Sequence, residues 1–239
     1  MALEDGTAYL MLLNPTGGVF GGDRLVSHIV QDFETRVCLT TSSATRIYRA
    51  SDCPAVTDTR IEVGEGATLE YLPDHIIPHA GAALHQRLRV DLQRGSRVIL
   101  LDSFACGRVA AGERWIFREM DFRTEVCRRG KPLFLNRTWI RPQAQQVNQI
   151  GCMERYDYSA TLGVFADGFG DWQGFVARIN SEWETMPEIS GGVSLLSRDG
   201  CLVRFLGVSA WDMTCAAKKL WGAAREAVLG LPSFDPRKY

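Results

Sequence analysis

The chain most plainly lacks a disulfide or metal framework. Its seven cysteines (Cys38, Cys53, Cys106, Cys127, Cys152, Cys201 and Cys215) are odd in number and scattered, and none form a C-x-x-C pair. That spacing excludes a secreted disulfide scaffold and a structural zinc site; the thiols read as small buried hydrophobes of a protein kept in a reducing cytosol. No apolar run nears the roughly 18 residues of a membrane span. The acidic opening MALEDGTAYL lacks the basic start of a secretory signal. Excess charge is also missing: 27 Lys+Arg against 28 Asp+Glu leave a net charge of −1, which gives no electrostatic footprint for nucleic acid. A G-x-S-x-G nucleophile elbow is absent. What remains, 239 residues at 46% hydrophobic and 23% charged, is an ordinary globular composition, long enough for one large domain or two small ones.

Against that plain background, residues 14–23 read NPTGGVFGGD, with one proline and four glycines. Paired glycines permit positive φ and close approach of other groups to the backbone. The run is not a phosphate loop, because no Gly-Lys-Ser/Thr is present and the spacing is not G-x-G-x-x-G. It leads into Leu25-Val26-Ser27-His28-Ile29-Val30, which is strand-like, so no helix N-terminus is available for an anion. Two tight turns of a β protein, holding Asp23 at the mouth of a strand, account for it; a site or an interface is the other reading.

Strand signals fill the first 140 residues. DFRTEV at 121–126 and Leu133-Phe134-Leu135 flank a turn at Arg129-Gly130, a hairpin whose cluster Arg128, Arg129, Lys131 reads as a solvated turn. A repeat underlies the rest. Residues 34–41 can be laid over 65–72, and those over 94–101, in steps of 31 and 29 residues. Each unit is a turn followed by a strand, and each follows another strand (27–33, 59–63 and 84–92). Such a period predicts stacked β units that bury a face only against their neighbours. A β-sandwich of regularly spaced hairpins is the alternative. The fold class is therefore mainly β, solenoid-like stacked strands with a C-terminal α-helix. Residues 1–150 form the solenoid-like part and 151–239 a hairpin plus helix within a single domain. Residues 163–175, rich in glycine and aromatics, read as loop and turn, and 191–196 with 201–206 as a hairpin around Arg198-Asp199-Gly200. A helix is predicted over 209–229, capped by Ser209 with Asp212 and stopped by Gly230. Met213, Ala217, Leu220, Ala224 and Ala227 form its apolar stripe.

Candidate chemistry is sparse, and no catalytic residue is assigned. His75, His79 and His85 could hold a borderline metal by imidazole, or simply line a polar loop. Pro78 keeps them off one helical face. Cys106-Gly107-Arg108 could pair a nucleophile with a cation, but no base is marked. Asp102 ends an apolar strand, and Glu70 sits at the related place of the preceding unit. Carboxylates spread along stacked strands suit weak binding or passage of a cation better than acid–base catalysis.

NPTGGVFGGDRL, the segment at 40–49 (TTSSATRIYR) and ATLEYLP at 67–73 together resemble the urease accessory protein UreD (UreH) family. So do Gly81-Ala82, Cys106-Gly107-Arg108 before Gly112-Glu113, Val203-Arg204-Phe205-Leu206 and the ending Pro236-Arg237. The resemblance covers nearly the whole chain. It implies no enzyme but a cytoplasmic maturation chaperone with a β-helix-like fold. Such a protein binds the accessory protein UreF, which recruits the GTPase UreG, and the assembly, two-fold in the family, docks on apo-urease so that nickel reaches its active site. No tightly bound cofactor is implied, only transient Ni2+. The passage proposed for the family places Asp23, Thr45 and Asp102 along the nickel route.

Two departures stand out. Asn136 occupies the place of a family acid proposed for the route, and its amide can coordinate only through the carbonyl. Roughly forty residues that family members carry ahead of the glycine motif are not present, which predicts a solenoid with an exposed edge and apolar face, poorly soluble alone. Two other classes stay open beside the chaperone: a β-solenoid carbohydrate-active enzyme using scattered acids, and a plain protein-interaction module without a metal role.

Overall fold

The computed structural model describes residues 2–235, so the ending Pro236-Arg237 lies outside the described residues. Two sheets face each other. Sheet B takes the first strand of each unit, β2 (Arg24–Gln31), β5 (Ala55–Val63) and β8 (Ala83–Leu92), all parallel. Sheet A takes the second, β3 (Arg36–Thr41), β6 (Thr68–Leu72) and β9 (Arg97–Ala105), also parallel. These are three coils of a β-solenoid, as the repeat predicts. The short strands β4 (Thr45–Ile47) and β7 (Ile76–Pro78) add a parallel pair to sheet A.

Each coil turns on one residue with positive φ: Glu34 (54°), Gly66 (68°) and Gly95 (70°). The three turns stack, with Glu34 N donating to Glu65 O and Gly66 N to Arg94 O. The register steps are therefore 32 residues (Val37 opposite Leu69) and 29 (Leu69 opposite Val98). The first step is one residue longer than the sequence comparison gave. Aligning Glu34 with Glu65 matched like side chains, whereas the backbone matches Glu34 with the left-handed Gly66. A non-glycine residue in that conformation costs about 1–2 kcal/mol, which hid the equivalence.

The coils are flanked on both sides. β1 (Ala8–Leu12) pairs parallel with β3, and β1 and β2 are the edge strands at that end, with Leu10, Val26 and Val30 exposed. At the other end β10 (Glu119–Arg128) joins β8, and β11 (Lys131–Ile140) returns through Arg129 (φ 50°) and Gly130 (φ 76°), the expected hairpin. Arg129 and Lys131 are solvated, but Arg128 is not. It is buried and pairs with Asp199 at 2.7 Å and Asp167 at 3.7 Å, tying sheet B to turns of sheet A. The second hairpin also forms, from β13 (Ile189–Leu195) and β14 (Gly200–Gly207).

Residues 163–175 depart from expectation. β12 (Tyr158–Ala166) runs between β9 and β14, and α1 (Trp172–Trp183) follows, its N-cap Asp171 accepting from Gly174 N. β12 is covered on both faces, so its sequence has no period-2 alternation. Gly163 is required there by the Phe165 ring, 2.7 Å from where a Cβ would stand. α1 buries only Phe175 and Ile179, too few to show a stripe. α2 (Ala210–Ala224) forms as predicted, with Ser209 Oγ accepting from Asp212 N; Met213, Leu220 and Ala224 are buried, while Ala217 and Ala227 are half-buried. One wide π turn, Arg225–Leu229, continues it to Gly230. Both helices cover the outer face of sheet A.

Arg225 is fully buried and binds Glu70 of β6, Asp5 of the N-terminal turn and, at 2.7 Å, Pro232 O; Trp221 Nε1 donates to the same Glu70 at 2.5 Å. Helix, middle coil and N-terminal turn thus converge on one guanidinium.

The glycine run and the 44–49 segment, separate in sequence, form one unit. Val19 bridges Ile47, Phe20 stacks on Tyr48 at 4.6 Å, and Tyr48 Oη donates to Gly17 O. A Cβ on Gly18 would stand 2.5 Å from Arg46 O, and one on Gly21 2.5 Å from Ala50 Cα. Close approach is why these positions are glycine.

Gly21→Ala is expected to cost about 1–3 kcal/mol through forced backbone displacement, read as a lower Tm. Arg225→Met strands the buried Glu70 carboxylate and frees the half-buried Asp5, and should cost about 3–5 kcal/mol in urea unfolding, with Glu70→Leu added to it recovering much of the loss. Cys38, Cys106, Cys127 and Cys201 are buried while Cys53, Cys152 and Cys215 are exposed, so a thiol reagent should titrate three groups fast and the other four only on unfolding.

Candidate functional site: a polar belt inside the sandwich

Between the sheets lie two apolar clusters. One gathers Leu39, Ile61, Leu69, Leu88, Val90, Leu100 and Val126; the other Ile47, Ala55, Leu84, Phe104, Met120, Phe122 and Ile140. Alternation along each strand shows what separates them. On β8, Gln86 stands between Leu84 and Leu88; on β10, Thr124 between Phe122 and Val126; on β9, Asp102 between Leu100 and Phe104; on β5, Thr57 and Thr59 between Ala55 and Ile61. A belt of polar side chains therefore crosses the interior between the two apolar clusters.

Asp102 is its only charged member from the coil strands. Gln86 Nε2 donates to one carboxylate oxygen at 3.4 Å and Thr124 Oγ1 to the other at 3.3 Å. Burial holds the carboxyl above the ordinary range, and those two hydrogen bonds pull it part of the way back. Tyr71 faces the same space, its phenol pushed up to about 12 by burial and then by Asp102. Thr57 Oγ1 is buried with no hydrogen-bond partner among the described residues. The belt thus offers long, weak hydrogen bonds and an unfilled hydroxyl beside one carboxylate.

The other predicted positions lie apart from Asp102. Asp23 is exposed; its carboxylate accepts from Phe20 N at 2.9 Å, closing the second glycine turn. Thr45 starts β4 on the same face as the buried Ile47, and its N–H donates to His75 O. Among the described residues no three His, Cys, Asp or Glu side chains converge as a metal cluster. His75 meets Tyr158 edge-on, His79 meets Tyr48, and His85 pairs with Glu119 on the outer face of sheet B, so the three histidines do not share a site. Burial and the nearby Arg108 and Arg46 hold His79 below its usual value.

Glu70 is corrected. Asp102 lies three positions after Ile99, the register partner of Glu70, and an odd offset along a strand puts the two acids on opposite faces of sheet A. Glu70 belongs to the Arg225 latch and not to the belt. Cys106 donates to Asp157 at 3.1 Å; burial and that carboxylate push its thiol up, opposite to an activated nucleophile. Among the described residues, the acids on the outer face of sheet B are matched except Asp58: Glu62 by His28 and Arg60, Asp91 by Arg60 and Arg89, Glu119 by His85, Glu125 by Arg89 and Asp121 by Arg137. No pair of free acids for glycoside chemistry stands there among the described residues.

Sequence reasoning singled out Asp102 and did not single out the neighbours that the fold gives it, Gln86, Thr57 and Thr124. The signal was present in strands whose inward apolar positions are interrupted, once on β8, β9 and β10 and twice on β5. It becomes visible only when the strands are aligned in register.

Comparison with known proteins places the chain in a family. The family model described as UreD urease accessory protein matches residues 1–239. A urease accessory protein UreD of Herpetosiphon aurantiacus is 31% identical over 242 residues, covering 99% of this chain and 84% of its own. One from Corynebacterium glutamicum is 31% identical over 203 residues (84% and 71%), and one from Natronomonas pharaonis 29% identical over 235 (98% and 78%). These relatives are accessory proteins, and among the described residues no helix is long and apolar enough to cross a membrane. With a match along its full length and a stacked-coil fold, this chain belongs to the UreD family of urease accessory proteins.

Proposed function

We propose that the chain is a scaffold for urease maturation that works with UreF-like and UreG-like partners, and that nickel on its way to apo-urease passes along the polar belt. The observation that supports passage is the belt itself. A carboxylate, an amide and hydroxyls cross a sandwich between two apolar clusters, and burying them has a cost that packing alone does not require.

The donor set suits a cargo and not a resident ion. Asp102 provides charge, Gln86 and Thr124 provide neutral oxygens, and the histidines and buried thiols, which would hold nickel tightly, lie elsewhere. An ion that must leave needs sites that bind weakly enough to release it. In this reading Asp23 presents oxygen at the surface beside the glycine turns, Thr45 lies on the inward face of β4, and Asp102 is the interior stop. Asn136, directly across from Thr124, contributes a carbonyl only.

In cells carrying urease and its accessory proteins, the chain is expected to co-purify with a UreF-like protein. Asp102→Asn should leave that assembly intact and lower the nickel content of urease severalfold, with a smaller fall for Asp23→Ala. Full nickel loading with both variants would remove the passage role and leave a scaffold without one.

A further inference from the structure

The belt reaches the side of the sandwich where β11 and β14 approach each other, and a cation stands there. In sheet A, Asp102 is the register partner of Thr161, and Thr161 of Arg204. In sheet B, Thr124 is the partner of Asn136. Two side-chain hydrogen bonds join the rows: Thr124 Oγ1 donates to Asp102 at 3.3 Å, and Arg204 Nη2 donates to Asn136 Oδ1 at 3.3 Å. Five residues thus make a polar frame between the sheets, its rows set by strand register and joined by these two hydrogen bonds. Leu202, two residues before Arg204, packs in an interior cluster, so Arg204 leaves β14 on the inward face. Asp102 is half-buried at one corner and Arg204 is exposed at the other.

Arg204 has an unusual partner for its charge. Among the described residues it makes no ion pair, and its hydrogen bond is to a neutral amide that also donates to Thr138 Oγ1. A guanidinium stays charged at any working pH. Held across the frame, it opposes the approach of another cation from either direction. Held only by an amide, it is also easily released.

We propose that Arg204 is a charge gate on the β11–β14 side of the belt, holding a divalent cation inside until a carboxylate of a docked partner draws the guanidinium off Asn136. This rests on the nickel-passage reading above. The gate explains why a permanent cation sits on a frame whose opposite corner is a carboxylate. It also identifies the partner chemistry at this edge as acidic.

The test uses the accessory complex containing the full chain, preloaded with Ni2+ by dialysis, with release to a chromogenic chelator followed by stopped flow. Arg204→Gln is expected to release nickel about tenfold faster, the scale on which removing one nearby charge acts in a partly solvated site. Arg204→Lys should stay near the parent. Asn136→Asp, which gives the guanidinium a carboxylate to hold, should slow release. A residue with only a structural role would not move the rate in opposite directions through these two substitutions. If Arg204→Gln and Asn136→Asp both release at the parent rate while Asp102→Asn lowers urease nickel, the gate is wrong and passage stands. If neither Asp102→Asn nor Asp23→Ala lowers urease nickel, passage fails and the gate falls with it.

Discussion

Parallel strands stacked directly over one another must turn back at the same place in every coil, and that demand shapes this molecule. The turn needs one residue with positive φ per coil, stacked on the next. Glycine meets it twice, at Gly66 and Gly95, and Glu34 meets it at some cost in backbone energy. Once the turns stack, every strand pair in both sheets inherits its register. The inward face of each strand is then decided, because a slip of one residue would exchange all inward and outward side chains. The apolar clusters, the belt and the position of Asp102 between Leu100 and Phe104 follow from that single alignment.

A belt of polar groups inside such a stack weakens it. Each buried amide or hydroxyl forfeits hydrogen bonds to water, and a carboxylate forfeits more. Gln86 and Thr124 return part of this to Asp102 through long contacts, and Thr57 returns nothing. The two flanking apolar clusters carry the stability that the belt does not. The arrangement keeps the interior rigid above and below while leaving one layer able to rearrange its hydrogen bonds. The Arg128 and Arg225 networks act at other places, fastening the sheets at one end and the helices across the middle coil. Stability and the candidate site are thus separated in space.

Much of this was legible in the sequence. Turn chemistry at Arg129-Gly130 and Asp199-Gly200, the cap at Ser209 and the 29-residue step between the second and third coils all carry local signatures, and all form. Failures came where meaning depends on distant partners. Glu34 resembles Glu65 in chemistry but Gly66 in conformation. β12 is buried on both faces and so loses its alternation. Arg128 sits in a run of exposed cations, yet meets carboxylates more than thirty residues away in sequence. Glu70 and Asp102 occupy similar places in neighbouring units, but parity sends one outward to Arg225 and the other inward to the belt. Asp102 could be singled out as an acid at the end of an apolar run, whereas Gln86 and Thr124 are each unremarkable until two sheets are brought face to face.

The Arg225 latch also has a consequence in time. Asp5 and Arg225 are 220 residues apart. During synthesis at about 5–20 residues per second, roughly 10–40 s pass between the two leaving the ribosome. For the last 155 residues of that interval Glu70 belongs to a coil that can stack early, but its counter-charge does not yet exist. The nascent solenoid must keep that carboxylate hydrated or protonated, with the outer face of sheet A uncovered. Final closure is therefore a late event, set by the arrival of one arginine near the end of the chain, and the interval before it is when other proteins have access to that face.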